Sequence, residues 1–155
     1  MANVFTATFK DVEVSALQDL FSLVVGDDAP VTILSCTISQ QSDYKDAEEE
    51  GLLISIVRGN GTVGSGGSAP TARLHSTNGG AVIATVRAND TTEASVGSEE
   101  DMHLENWNIR MPWVYRPTPE EYFRTDQADD IVAVRLLDAP SDALTTSGVL
   151  VWMEG

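Results

Sequence analysis

One cysteine, two histidines and nine Lys or Arg residues are all that the 155-residue chain holds of those types, and each scarcity removes a class of function. A lone Cys36 excludes an intrachain disulfide and a cysteine-based zinc site. In "TILSCTIS" it shares strand parity with Leu34 and Ile38, which reads as a small buried hydrophobe. His75 and His103 are far apart in sequence and lack the close pairing of a cupin-type metal centre. Nine basic residues against 24 acidic ones leave a formal charge of −15. A phosphate backbone would be repelled by that surface, so nucleic acid is not an expected partner. Apolar runs long enough for a membrane span, roughly 18 residues, are missing too. The N-terminal "MANVFTATFKDVEV" has neither a basic n-region nor a continuous apolar h-region, so no signal peptide is expected.

What the chain does have is alternation. A hydrophobic fraction of 42% suits a globular domain, and the length suits one domain over 1–155. "VFTATF" sets Phe5, Ala7 and Phe9 on one side; "LLISIVR" sets Leu52, Ile54 and Ile56 together. "AVIATVRA" groups Val82, Ala84 and Val86, and "IVAVRLL" sets Val132, Val134 and Leu136 opposite Arg135. "GVLVWM" opposes Val149, Val151 and Met153 to Leu150 and Trp152. Period two is the signature of half-buried strands. Further strands are expected at "DLFSLVV", "VTILSCTIS", "LENWNIR" and "WVYR", with turn chemistry in "GDDAP", "RGNG", "TNGG", "RPTPEE" and "DAPSD". The pattern predicts an all-β chain, a jelly-roll-like β-sandwich of about eight to ten strands. The one helical candidate is the charged "SDYKDAEEEG", read as one or two exposed turns. The Gly/Ser-rich 59–71 reads as a flexible loop.

Several motifs invite a chemical function. Gly59, Gly61 and Gly64 form a literal G-x-G-x-x-G, but "SGGSAPT" follows and forbids the helix that must receive a pyrophosphate. No acidic residue stands between Leu52 and Asn89 to bind a ribose, so no cofactor is expected. In "SEEDMHLEN", Glu99, Asp101, His103 and Glu105 would share one strand face. The stretch resembles the E-x-D-x-E and E-x-D-x-x-E strands of some jelly-roll glycoside hydrolases. Its second glutamate falls too late, and Glu99 and Glu105 would stand roughly 20 Å apart on a straight strand. A solvated acidic strand end is the expectation. No G-x-S-x-G elbow is present, so no catalytic residues are assigned. The acidic groups Asp27-Asp28, Glu48-Glu49-Glu50 and Asp126-Asp129-Asp130 follow no EF-hand spacing and read as surface rather than metal ligands.

The densest chemistry is "MPWVYRPTPEEYF", residues 111–123, with three prolines and four aromatics in a chain that is 6% aromatic. Pro117 and Pro119 disfavour helix at Arg116 and Thr118, so a rigid strand and corner is expected. Trp113 and Tyr115 should point one way, Val114 and Arg116 the other. Among so many acids Arg116 should find a carboxylate, within the subunit or across an interface. Whether the aromatics are core or interface stays open.

Together with "SQQSDYKDAEEEGLLISIVRGNGTVGSGGS", "VRANDTTEASVG" and "DALTTSGVLVWMEG", this stretch resembles a group of small phage- and prophage-encoded virion structural proteins. The resemblance covers most of the chain. It implies a non-enzymatic capsid decoration, or cement, protein on the virion exterior, made in the host cytoplasm and bound to the major capsid protein. It also implies a homo-oligomer, a trimer before any other state. Trp113, Tyr115, Arg116, Pro117, Pro119, Val4 and Phe5 are the candidate interface residues, and the N-terminal "MANVFTATFKD" and segment 59–71 are candidate docking elements. The alternatives are a sandwich-type carbohydrate-binding module or adhesin and, further off, a small glycoside hydrolase.

Overall fold

A computed structural model describes residues 2–43 and 50–155 and turns nearly every alternating run into a strand. Eleven strands occur among the described residues. They are β1 (Asn3–Val14), β2 (Gln18–Val24), β3 (Val31–Gln40), β4 (Gly51–Thr62), β5 (Arg73–Leu74) and β6 (Thr85–Asp90). β7 (Ser95–Asn108), β8 (Trp113–Tyr115), β9 (Arg124–Thr125), β10 (Ile131–Leu136) and β11 (Leu144–Glu154) follow, with one 3-10 turn at Pro119–Glu121. The helical candidate at 42–51 falls largely outside the described residues.

The strands form two antiparallel sheets. Sheet 1 runs β5-β1-β11-β3-β8, with β9 also paired to β3; sheet 2 runs β6-β2-β10-β4-β7. The eight principal strands give β1-β11-β3-β8 against β2-β10-β4-β7, and the chain crosses between sheets at each step from β1 to β4. That is the doubly wound Greek-key order of a jelly roll. The expectation of an all-β sandwich holds.

Period two explains which residues meet. Phe5, Ala7 and Phe9 of β1 and Leu150 and Trp152 of β11 face inward from sheet 1. Leu52, Ile54 and Ile56 of β4 and Val132, Val134 and Leu136 of β10 face them from sheet 2. Phe5 stacks on Trp152 at 5.8 Å, and Phe9 meets Phe21 across the sheets at 5.0 Å. Cys36 and Ile38 are fully buried while Leu34, displaced at a bulge in the β3–β11 register, is half-buried. Burial pushes the Cys36 thiol well above its usual range, so it remains a protonated core residue. At Gly148 a Cβ would lie 2.5 Å from the Phe9 ring, so the absent side chain makes room for that ring.

One expectation gains a detail and two need correction. Arg135 does lie opposite the Val132–Leu136 face, yet it is only 3% exposed. Its guanidinium donates to Asp19 Oδ1 at 2.7 Å, Glu99 Oε2 at 2.7 Å and the Ala94 carbonyl at 2.9 Å. Burial works against its charge. The hydrogen bond and charge of Asp19, then those of Glu99, outweigh that and raise its pKa. Val82 is exposed, because β6 begins only at Thr85. Segment 59–71 is a hydrogen-bonded strap rather than a loose loop. Ser65 and Thr92 exchange backbone bonds at 3.0 Å, Ser68 and Ala88 do so at 2.8–2.9 Å, and Gly67 donates to Asp90 Oδ1 at 3.0 Å. The G-x-G-x-x-G glycines therefore serve a strand end and its return.

Candidate functional site

Segment 111–123 and strand β7 meet where the two sheets part. β8 places Trp113 (2% exposed) and Tyr115 (7%) inward and leaves Val114 outward. Their rings lie nearly parallel, 6.3 Å apart, and the His103 imidazole reaches across from β7 to within 4.8 Å of Tyr115 and 6.4 Å of Trp113. His103 Nε2 lies 3.0 Å from Glu105 Oε2. After Tyr115 the prolines turn the chain as expected. Thr118 is extended and opens the 3-10 turn, and Glu121 closes it by accepting from the Thr118 N–H at 3.0 Å and its hydroxyl at 3.1 Å. Those two bonds, with a smaller contribution from nearby His103, hold the Glu121 carboxyl below its usual range. Burial, then the neighbouring Glu121 charge, pushes the Tyr115 phenol up, so it stays a hydrogen-bond donor.

The result is a groove of about 320 Å³. Met102, His103 and Glu105 form one wall; Val114, Tyr115, Arg116 and Pro117 form the other, and Glu121 and Phe123 close one end. The Phe123 ring is braced by the Arg58 guanidinium 5.8 Å from its centroid.

The structure brings some expected site residues together and separates others. Glu99, Asp101, His103 and Glu105 do not share a face. His103 pairs with Ile56 but Asp101 with Val57, so a β-bulge at Met102 inverts the parity. His103 and Glu105 face the groove. On the other side Asp101 accepts from the Ser55 hydroxyl, and Glu99 is bound to Arg135 and Asn60. Arg116 is exposed and, among the described residues, makes no ion pair within the subunit, one of the two places where its carboxylate was expected. Phe5 belongs to the core, so of the N-terminal pair only Val4 shows on the outside; Pro117 is half-buried and Pro119 exposed. Among the described residues no group of three His, Cys, Asp or Glu side chains could hold a metal ion.

A second feature escaped the reading of single strands. The β1–β11–β3–β8 register aligns Thr8, Val149, Thr37 and Val114 in one row across the outer face of sheet 1. Thr6, Val151 and Ser35 form the next row, and Val4, Met153 and Thr32 a third. None of these ten side chains is charged, in a chain of net charge −15. Val149 is 40% and Val114 49% exposed. Cations flank the rows: Arg73 beside Thr6 on β5 and Arg124 beside Thr32 on β9. The signal was present in each strand's outward residues, but only the strand order sums them into a surface. No family model matches the chain, and no curated protein or solved structure matches it either.

Proposed function

We propose that the chain is a non-enzymatic virion structural protein, a capsid decoration protein that binds the major capsid protein on the particle exterior. The observation that carries this is the uncharged outer face of sheet 1 with its Arg73 and Arg124 flanks. Elsewhere on this acidic molecule a docking protein meets carboxylates, whose desolvation costs more than it returns. Here it meets Val, Thr, Ser and Met side chains on a rigid sheet, with guanidiniums placed to pair at the rim. Jelly-roll topology fits the virion resemblance in the sequence. The divergence of Glu99 and Glu105 to opposite sides of β7 argues against a glycosidase pair, which needs both carboxyls on one substrate.

The test is co-sedimentation of the purified protein with empty heads assembled from a candidate major capsid protein. Saturable binding is expected, and Val149→Asp, which puts a charge in the middle row, should abolish it while leaving the melting temperature unchanged. Protein that stays in the supernatant at micromolar concentration, or a Val149→Asp variant that binds normally, would overturn the assignment of that face.

A further inference from the structure

We infer that the groove between β7 and the 113–123 segment binds a neutral sugar ring, a site that adjoins the sheet 1 docking face at Val114. Its lining selects the ligand by elimination. An anion is opposed by Glu105 and Glu121 and by the net charge of −15. Arg116 lines the same groove without a carboxylate partner among the described residues, so the lining offers a charged donor beside its two acceptors rather than a purely anionic site for a cation. A divalent metal lacks convergent ligands among the described residues. A purely apolar ligand would strip water from two carboxylates and a guanidinium. What remains is a neutral molecule with several hydroxyls and an apolar face.

A pyranose has that chemistry. Carboxylates accept from its hydroxyls, and the hydrogen bonds formed are charge-assisted. Glu121 is held ionised, with both of its Thr118 bonds on Oε2. The Tyr115 phenol remains protonated and donates, and Arg116 donates as well. His103 and Phe123 line the groove and supply aromatic surface for the C–H side of the sugar. At about 320 Å³ the groove is at the small end of ligand sites, which span roughly 300–1,000 Å³. That favours one sugar ring, at an affinity on the order of millimolar.

The experiment is an NMR titration of the full chain with glucose, galactose, mannose and N-acetylglucosamine, with inorganic phosphate and a lysine-rich peptide as the competing ligand classes. At least one sugar should give saturable shifts of the His103 ring and Trp113 indole signals. Glu105→Ala, a half-exposed side chain whose only side-chain hydrogen bond among the described residues is to His103, should weaken that binding roughly tenfold or more. Glu13→Ala, an exposed carboxylate on β1 outside the groove, should leave it unchanged. No saturable shift with any sugar, stronger binding of phosphate or peptide, or equal sugar affinity in Glu105→Ala would each overturn the inference. Capsid binding by Glu105→Ala should equal that of the parent chain, so failure here and failure of the docking face give different results.

Discussion

Trp113 shows how one side chain divides between core and surface roles. Its ring is buried against Tyr115 and His103, yet its indole N–H has no acceptor among the described residues. Trp113→Ala should therefore cost about 3–5 kcal/mol through the cavity it leaves. Trp113→Phe, which loses no hydrogen bond, should cost about half as much. Urea denaturation of both variants measures the difference; equal losses would mean that the N–H has a bonded role. Gly148 makes the opposite case. Gly148→Ala drives a methyl against the Phe9 ring and the Ile38 side chain and should destabilise by about 1–3 kcal/mol. An unchanged denaturation midpoint would show that the Phe9 ring moves aside freely.

At the scale of elements, β7 explains the acidic run that resembled a catalytic strand. It is a 14-residue strand at the edge of sheet 2, where unpaired backbone groups invite another chain to pair. Glu99, Glu100, Asp101 and Glu105 charge that edge, and the bulge at Met102 bends it. Both are recognised ways of blunting an edge. Sheet 1 has edge strands of only two or three residues. The Asp19–Arg135–Glu99 cluster ties β2, β10 and β7 together. Arg135→Met leaves Asp19 as a buried, uncompensated charge and should cost about 3–5 kcal/mol. Adding Asp19→Asn should restore much of it in thermal melts; no recovery would place the loss in packing rather than charge. The Thr118–Glu121 turn carries a pH dependence. The folded-state pKa of Glu121 is depressed, so its contribution is present above the unfolded pKa and is lost as pH falls through the folded one. The Thr118 amide signal should titrate with a midpoint below that of an ordinary glutamate, and Glu121→Gln should remove the transition. A midpoint in the ordinary range would mean that the cap is not formed in solution.

For the whole molecule, charge distribution governs association. Copies of net charge −15 repel one another unless they meet through a surface of another character. The uncharged face of sheet 1, flanked by Arg73 and Arg124, is one, so a second copy presenting its acidic β7 edge, with exposed Leu104 and Val96, would compete with the capsid for it. A head-to-tail contact forms a ring only where its rotation closes, and the trimer expected from the sequence resemblance requires that closure. Light scattering at low ionic strength should give the trimer mass, and high salt should shift the population toward single chains. A single-chain mass under both conditions would count against self-association by this route.

The sequence alone determined that the protein is a β-sandwich, because strand periodicity and turn residues are local properties that neighbouring positions impose on one another. It also determined the inward sets of β1, β4 and β10, the rigid corner at Pro117 and Pro119, and the incompatibility of Gly59, Gly61 and Gly64 with a nucleotide loop. The tertiary structure decided the rest. An inserted residue at Met102 separates His103 from Asp101, and no local pattern announces a bulge that exists only in register with a partner strand. Arg135 looks solvent-facing by parity, but becomes buried because Asp19, Ala94 and Glu99, distant in sequence, converge on it. The uncharged face of sheet 1 depends on β1 lying beside β11, and β11 beside β3, an adjacency of chain ends that no window of sequence contains.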